Sequence, residues 1–107
     1  MTCTAKLVES YFSGDDLFLT FGYLPEQRPR SREAARWYLK SEVIDPLRRL
    51  RKAQGVPCWY AYSLSMADDN STAEHSLILS RGQETPELLK SIWTHGPVVC
   101  CSLRDMG

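Results

Sequence analysis

Ser31-Arg32-Glu33-Ala34-Ala35-Arg36-Trp37-Tyr38-Leu39-Lys40-Ser41-Glu42-Val43-Ile44-Asp45-Pro46-Leu47-Arg48-Arg49-Leu50-Arg51-Lys52-Ala53-Gln54 places apolar residues at Ala35, Leu39, Val43, Leu47 and Leu50. Spacings of four, four, four and three align these side chains along one side of a helix and imply a sheet beneath it. Ser31 is suited to N-cap this helix, its hydroxyl covering the first free amides. Gly55 and Pro57 end it. Pro46 removes a backbone donor within the run, so a kink or a break between two shorter helices is expected there.

Outward from the helix, both flanks have strand character. Upstream, a strand from about Lys6 to Phe12 is followed by the turn Ser13-Gly14-Asp15-Asp16. A second strand, Leu17-Phe18-Leu19-Thr20-Phe21-Gly22-Tyr23, leads into a loop from Leu24-Pro25 to Pro29. Downstream, Cys58-Trp59-Tyr60-Ala61-Tyr62-Ser63-Leu64-Ser65 and His75-Ser76-Leu77-Ile78-Leu79-Ser80 read as a hairpin about a polar loop from Ala67 to Ala73. Thr85 caps a short helix with Pro86 at its first position and Leu88, Leu89 and Ile92 on its buried side. Val98 to Leu103 supplies a closing strand. The order predicts one α+β domain over residues 1–107, a ferredoxin-like β-α-β-β-α-β antiparallel sheet with an extra N-terminal strand and its helices on one face.

Composition narrows the class. The 107 residues are 43% hydrophobic and 24% charged, ordinary for a folded domain. No apolar run approaches the roughly 20 residues that span a bilayer, and Met1 to Lys6 lacks the apolar core of a signal peptide. A cytoplasmic location is therefore expected, with Cys3, Cys58, Cys100 and Cys101 reduced and packed in the core. Adjacent Cys100 and Cys101 point to opposite strand faces, no Cys-x-x-Cys pair exists, and His75 and His95 are isolated in sequence. Neither a zinc site nor any other cofactor is expected. The pairs Asp15-Asp16 and Asp68-Asp69 read as solvated turns.

Net charge is zero but unevenly distributed. Between Arg28 and Gln54 nine basic residues stand against three acidic ones, leaving +6, while each flank carries −3. A polar molecule of this kind can meet phosphates or an acidic protein with one face.

Several segments, in order, resemble the HUH superfamily of replication initiators and relaxases carried by plasmids and phages. Phe18-Leu19-Thr20-Phe21-Gly22-Tyr23-Leu24-Pro25 is similar to the family's first motif. The helix with Ser31, Glu33, Ala34 and Ala35 followed by Leu47-Arg48-Arg49-Leu50-Arg51-Lys52 is similar to the helix that comes next. Glu74-His75-Ser76-Leu77-Ile78-Leu79 falls at the metal-binding H-x-H strand, and Ile92-Trp93-Thr94-His95-Gly96-Pro97-Val98 resembles a W-x-x-G-x-V segment of some phage members. The resemblance implies a divalent metal held by two histidines and a downstream tyrosine nucleophile. This chain has Glu74 and Ser76 at the two metal positions, and all five of its tyrosines, Tyr11, Tyr23, Tyr38, Tyr60 and Tyr62, precede His75. The expectation is a domain without the family's catalysis, and hence not an enzyme of that kind.

Two functions then compete. One is a phage or mobile-element protein that binds and inhibits a host nucleic-acid-processing protein or complex, as anti-CRISPR proteins do, through its basic helix. On an uninterrupted helical wheel Trp37 and Ile44 lie opposite Leu39 and beside Lys40, Arg48 and Arg51, a composition that suits an interface. The other is a direct DNA- or RNA-binding module, with Phe18, Phe21, Trp59, Tyr60 and Tyr62 stacking bases and the helix contacting phosphates. For either partner the candidate residues are Arg32, Arg36, Trp37, Lys40, Arg48, Arg49, Arg51 and Lys52. The competing bland assignments are core aromatics, a solvated arginine face and a Trp37 packed under a loop.

Overall fold

The computed structural model describes residues 11–106. Its elements are β1 (Leu17–Gly22), α1 (Arg32–Leu39), α2 (Asp45–Gln54), β2 (Tyr60–Met66), β3 (Ala73–Leu79), α3 (Pro86–Ser91) and β4 (Val98–Ser102), with short 3-10 turns at Pro25–Gln27 and Leu103–Met106. The four strands form one sheet in the order β2-β3-β1-β4, each neighbouring pair antiparallel. The expected hairpin of β2 and β3 is present, with Tyr62 opposite Leu77. The strand expected from Lys6 to Phe12 lies almost wholly outside the described residues, as does Cys3.

Alternation along the strands places the core. Leu17, Leu19 and Phe21 of β1, and His75, Leu77 and Leu79 of β3, are buried on one face. Leu39, Val43, Ile44, Leu47, Leu89 and Trp93 close over that face. Successive side chains of a strand point to opposite sides, so Thr20, Glu74 and Ser76 lie on the face turned away from the helices.

The long helix begins as its sequence implies. Ser31 is extended, and its Oγ accepts from Ala34 N at 3.0 Å. It ends at Gly55, whose φ of 71° is left-handed, with Val56 N donating to Arg51 O at 2.9 Å. Just before Pro46 the regular α-helix gives way, as expected, to two shorter α-helices, although the helical backbone runs on between them. A π-helical turn, Lys40–Ile44, joins α1 to α2, and Asp45 N donates to Lys40 O five residues back. The widened turn sits where Pro46 has no N–H to give.

This turn also resets which residues face the sheet. At 3.6 residues per turn, a strict spacing of four drifts by about 40° at each step. The extra residue in the π turn cancels that drift, so Ala35, Leu39, Val43, Leu47 and Arg51 share the buried side. Two expectations are overturned as a result. Ile44 is buried rather than outward, and Leu50 is exposed while Arg51 takes the buried position. In α3, Thr85 and Pro86 act as expected, with Thr85 Oγ1 accepting from Leu88 N at 3.1 Å. Leu88, however, is exposed, and the buried contact falls to Leu89. Cys58, Cys100 and Cys101 are free and half-buried rather than core residues. Cys100 and Cys101 stand opposite Leu19 and Phe18, on opposite faces.

The turn after β1 is locked from the far end of the chain. Gly22 N donates to Pro97 O and Leu24 N to His95 O, both at 2.8 Å, while Trp93 Nε1 donates to Gly22 O at 2.8 Å. At Gly96 a Cβ atom would stand 2.6 Å from Gly22 O, so only glycine permits this approach.

Candidate functional site

The eight residues singled out for partner binding do not form one patch. Arg51 is withdrawn entirely: it is 0% exposed, and its guanidinium sits against Glu84, with Nη2 2.6 Å from Oε1. Arg51 Nη1 also donates to Ser80 Oγ at 2.9 Å and to Pro57 O at 3.2 Å. Its role is to tie the helix to the sheet edge, which follows from the face shift at the π turn.

The other seven are on the surface. Arg48, Arg49 and Lys52 line an open concavity of about 470 Å³ with Asp45, Val56 and Cys58. The Cys58 thiol beneath them is pushed up from its ordinary pKa, mainly by burial, with Arg51 and Arg48 pulling the other way and Glu84 adding to the rise. The rise favours the protonated thiol at neutral pH. At the other end, Trp37 is 62% exposed and packs edge-on to Tyr38, with ring centroids 5.7 Å apart. Trp37 is thus not packed under a loop. Lys40 is exposed and pairs with Asp45 at 3.0 Å, a contact worth little energetically. Arg32 Nη2 donates to the Met66 carbonyl at 2.9 Å, and Arg36 is exposed one turn further along.

The aromatics divide. Phe21 is buried and cannot stack a base. Trp59, Tyr60 and Tyr62 are exposed along or next to β2, which is an edge strand among the described residues, and Tyr60 shares with the basic concavity the neighbour Cys58.

A second cluster escaped the linear reading. The two histidines, isolated in sequence, meet in space. Trp93 lies between them, its ring 5.5 Å from His75 and 4.8 Å from His95. Tyr23 OH and His75 Nε2 share a hydrogen bond of 2.7 Å, and His95 Nε2 is 2.5 Å from Glu42 Oε2. Tyr38 packs against His95 with its ring tilted by 39° and the centroids 4.9 Å apart. His75 is fully buried, and its Nδ1 has no hydrogen-bond partner among the described residues. Burial, and then the neighbouring His95, depress its pKa to about 4. Burial with the charges of Glu42 and Tyr38 lifts the Tyr23 phenol far above its usual range. Both groups are neutral at pH 7, and the cluster is a packed joint between β1, β3, the π turn and the segment after α3. Nothing local in the sequence marks it. The β1–β3 register, which sets Phe21 opposite His75, brings it together.

Glu74 and Ser76, at the positions where the resembled family binds metal, stand on the sheet face away from His75, opposite Gly22 and Thr20. Among the described residues no three His, Cys, Asp or Glu side chains converge as a ligand set. The acidic pairs lie in largely exposed turns, as expected, and make local surface contacts there. Asp15 pairs with Arg104 at 2.9 Å, Asp16 accepts from Arg81 N at 2.9 Å, and Asp69 accepts from Ser71 N at 2.9 Å. No described helix is long and apolar enough to cross a membrane. Compared with protein-family models, curated proteins and solved structures, the chain gives no match.

Proposed function

We propose that this chain is a non-catalytic binding protein of a phage or mobile element, which occupies and inhibits a host nucleic-acid-processing complex in the cytoplasm through the exposed basic side of its long helix. The observation that carries this is the gathering of Arg48, Arg49 and Lys52 around one concavity, in a chain of zero net charge, with Trp37 exposed on the same helix. An exposed tryptophan suits an interface anchor, and the charge concentrated further along the same helix suits an acidic or nucleoprotein partner. The element order and the strand order β2-β3-β1-β4 support a ferredoxin-like fold.

Capture from a bacterial lysate, with and without nuclease treatment, separates a direct protein partner from one bridged by nucleic acid. Trp37→Ala is expected to cost on the order of 2 kcal/mol in affinity. Arg48→Glu with Arg49→Glu should mainly slow association. Variants that remain folded by circular dichroism and bind every captured partner as well as the parent would exclude this helix.

A second reading is direct binding of single-stranded DNA or RNA, favoured by the exposed Trp59, Tyr60 and Tyr62, of which Tyr60 adjoins the basic concavity through Cys58. Under it, Arg48→Glu with Lys52→Glu should reduce the slope of log affinity against log salt by about 2. Under either reading the purified protein is expected neither to nick nor to join single-stranded DNA with Mg²⁺ or Mn²⁺, because Glu74 and Ser76 stand where the resembled family has its histidine pair. A metal-dependent product on a sequencing gel that disappears in Glu74→Ala would refute this.

A further inference from the structure

We propose that the outer edge of β2 receives an extended acidic segment of a partner protein as an added strand, its carboxylates lying against the arginines of the long helix. This deepens the protein-binding reading above and rests on the helix being part of the binding surface.

Three observations converge. Among the described residues β2 pairs only with β3, so the other side of Tyr60–Met66, apart from the Met66 carbonyl that Arg32 caps, presents unpaired backbone N–H and C=O groups. Such edges are ordinarily guarded by a charge, a proline or a bulge. Tyr60-Ala61-Tyr62-Ser63-Leu64-Ser65-Met66 contains no charge and no proline, and its ladder to β3 runs through consecutive partners without interruption.

The helix runs antiparallel to this strand along the same border. Arg32 donates to Met66 O at one end, while Ile44, Leu47, Cys58 and Tyr60 share one lining toward the other, next to Arg48. Arg36 follows Arg32 by four residues, on the same helical side. Cations therefore stand at both ends of the free edge, Arg32 at Met66 and Arg48 near Cys58, with Arg36 on the same helical side as Arg32.

Strand geometry supplies the rest. The register places Tyr60, Tyr62 and Leu64 on the helix side of the sheet, opposite Leu79, Leu77 and His75. A strand added beside β2 would send every second side chain toward that side, where the arginines and the exposed Tyr60 and Tyr62 rings meet it. Glu or Asp at alternate positions would satisfy both the backbone edge and the charge. A second copy of this chain would bring a second row of the same arginines to that border, and the like charges would repel. A single-stranded nucleic acid would match the charge and the rings but leave the alternating backbone groups of β2 unpaired. Main-chain pairing combined with alternating side-chain recognition is an established mode of peptide capture.

The test is amide hydrogen exchange by NMR on the ¹⁵N-labelled full chain, titrated with a short synthetic peptide alternating Glu and Thr. A Lys and Thr peptide and oligodeoxythymidylate serve as comparisons. The expected result is slowed exchange at alternate amides of β2 with the acidic peptide alone, weakened at least about tenfold by Arg36→Glu with Arg48→Glu. Ser63→Pro or Leu64→Pro, whichever removes an outward N–H, should abolish it. The surface charge variants keep the test valid if the proline variants fail to fold. Four results would each overturn the proposal: protection of β2 by oligodeoxythymidylate in preference to the peptide, protection that grows with protein concentration alone, equal protection by the basic peptide, or none at millimolar peptide. If β2 stays unprotected while Trp37→Ala still loses a captured partner, the edge proposal falls and the helix reading stands.

Discussion

Arg51→Ala is expected to destabilise the protein by about 3–5 kcal/mol, the range seen when one member of a buried ion pair is removed. Arg51 and Glu84 have side-chain exposures of 0% and 1%, so neither can recover its partner from solvent. Truncation strands the Glu84 carboxylate, and it also removes the donor to Pro57 O and Ser80 Oγ. Most of the loss is thus the cost of a buried charge left alone, and not the net worth of the pair. Arg51→Met combined with Glu84→Gln should therefore recover a large part of it. Urea denaturation of the parent, the single and the double variant at pH 7 checks both statements. A double variant no more stable than Arg51→Ala would contradict the account. Gly82 belongs to the same arrangement, since a Cβ there would come within 2.8 Å of the guanidinium.

Acidification from pH 7 toward pH 4 is expected to remove about 3 kcal/mol of stability through His75 alone, at 1.36 kcal/mol per pKa unit. In the folded chain His75 titrates at about 4, against an ordinary 6.5. Between those values the unfolded chain binds the proton that the folded chain refuses, so stability rises with pH across that window. The contribution is fully present above pH 6.5 and is lost as pH falls to about 4. Its cause is burial first and the neighbouring His95 second, at a ring whose Nε2 is engaged with the Tyr23 hydroxyl and whose Nδ1 has no partner among the described residues. Urea unfolding at a series of pH values, for the parent and for His75→Gln, separates this from the other titrating groups. The variant should show a shallower slope between pH 4 and 6.5. An unchanged slope would mean that His75 titrates normally in the folded state.

The sequence by itself determined the elements whose cause is local. Ser31 and Thr85 cap helices because a hydroxyl can reach the free amides of the next turn, and Gly55 ends the long helix because glycine accepts a left-handed backbone at little cost. Strand alternation, the β2–β3 hairpin and the α+β class follow in the same way from short-range periodicity. The exposure of Trp37 was open in the sequence, since a helical wheel gives its direction but not what packs over it, and only the tertiary structure leaves it uncovered. Tertiary structure alone decided the rest. A wheel drawn through Pro46 assumes a constant turn angle, and the π turn breaks that assumption, which is why Ile44 and Arg51 went inward and Leu50 outward. Arg51 is tolerated there only because Glu84, 33 residues away, arrives to neutralise it. The meeting of His75 with His95 likewise depends on pairing between β1 and β3 and on the clamp of residues 93–97 against Gly22, contacts between segments that no local pattern relates.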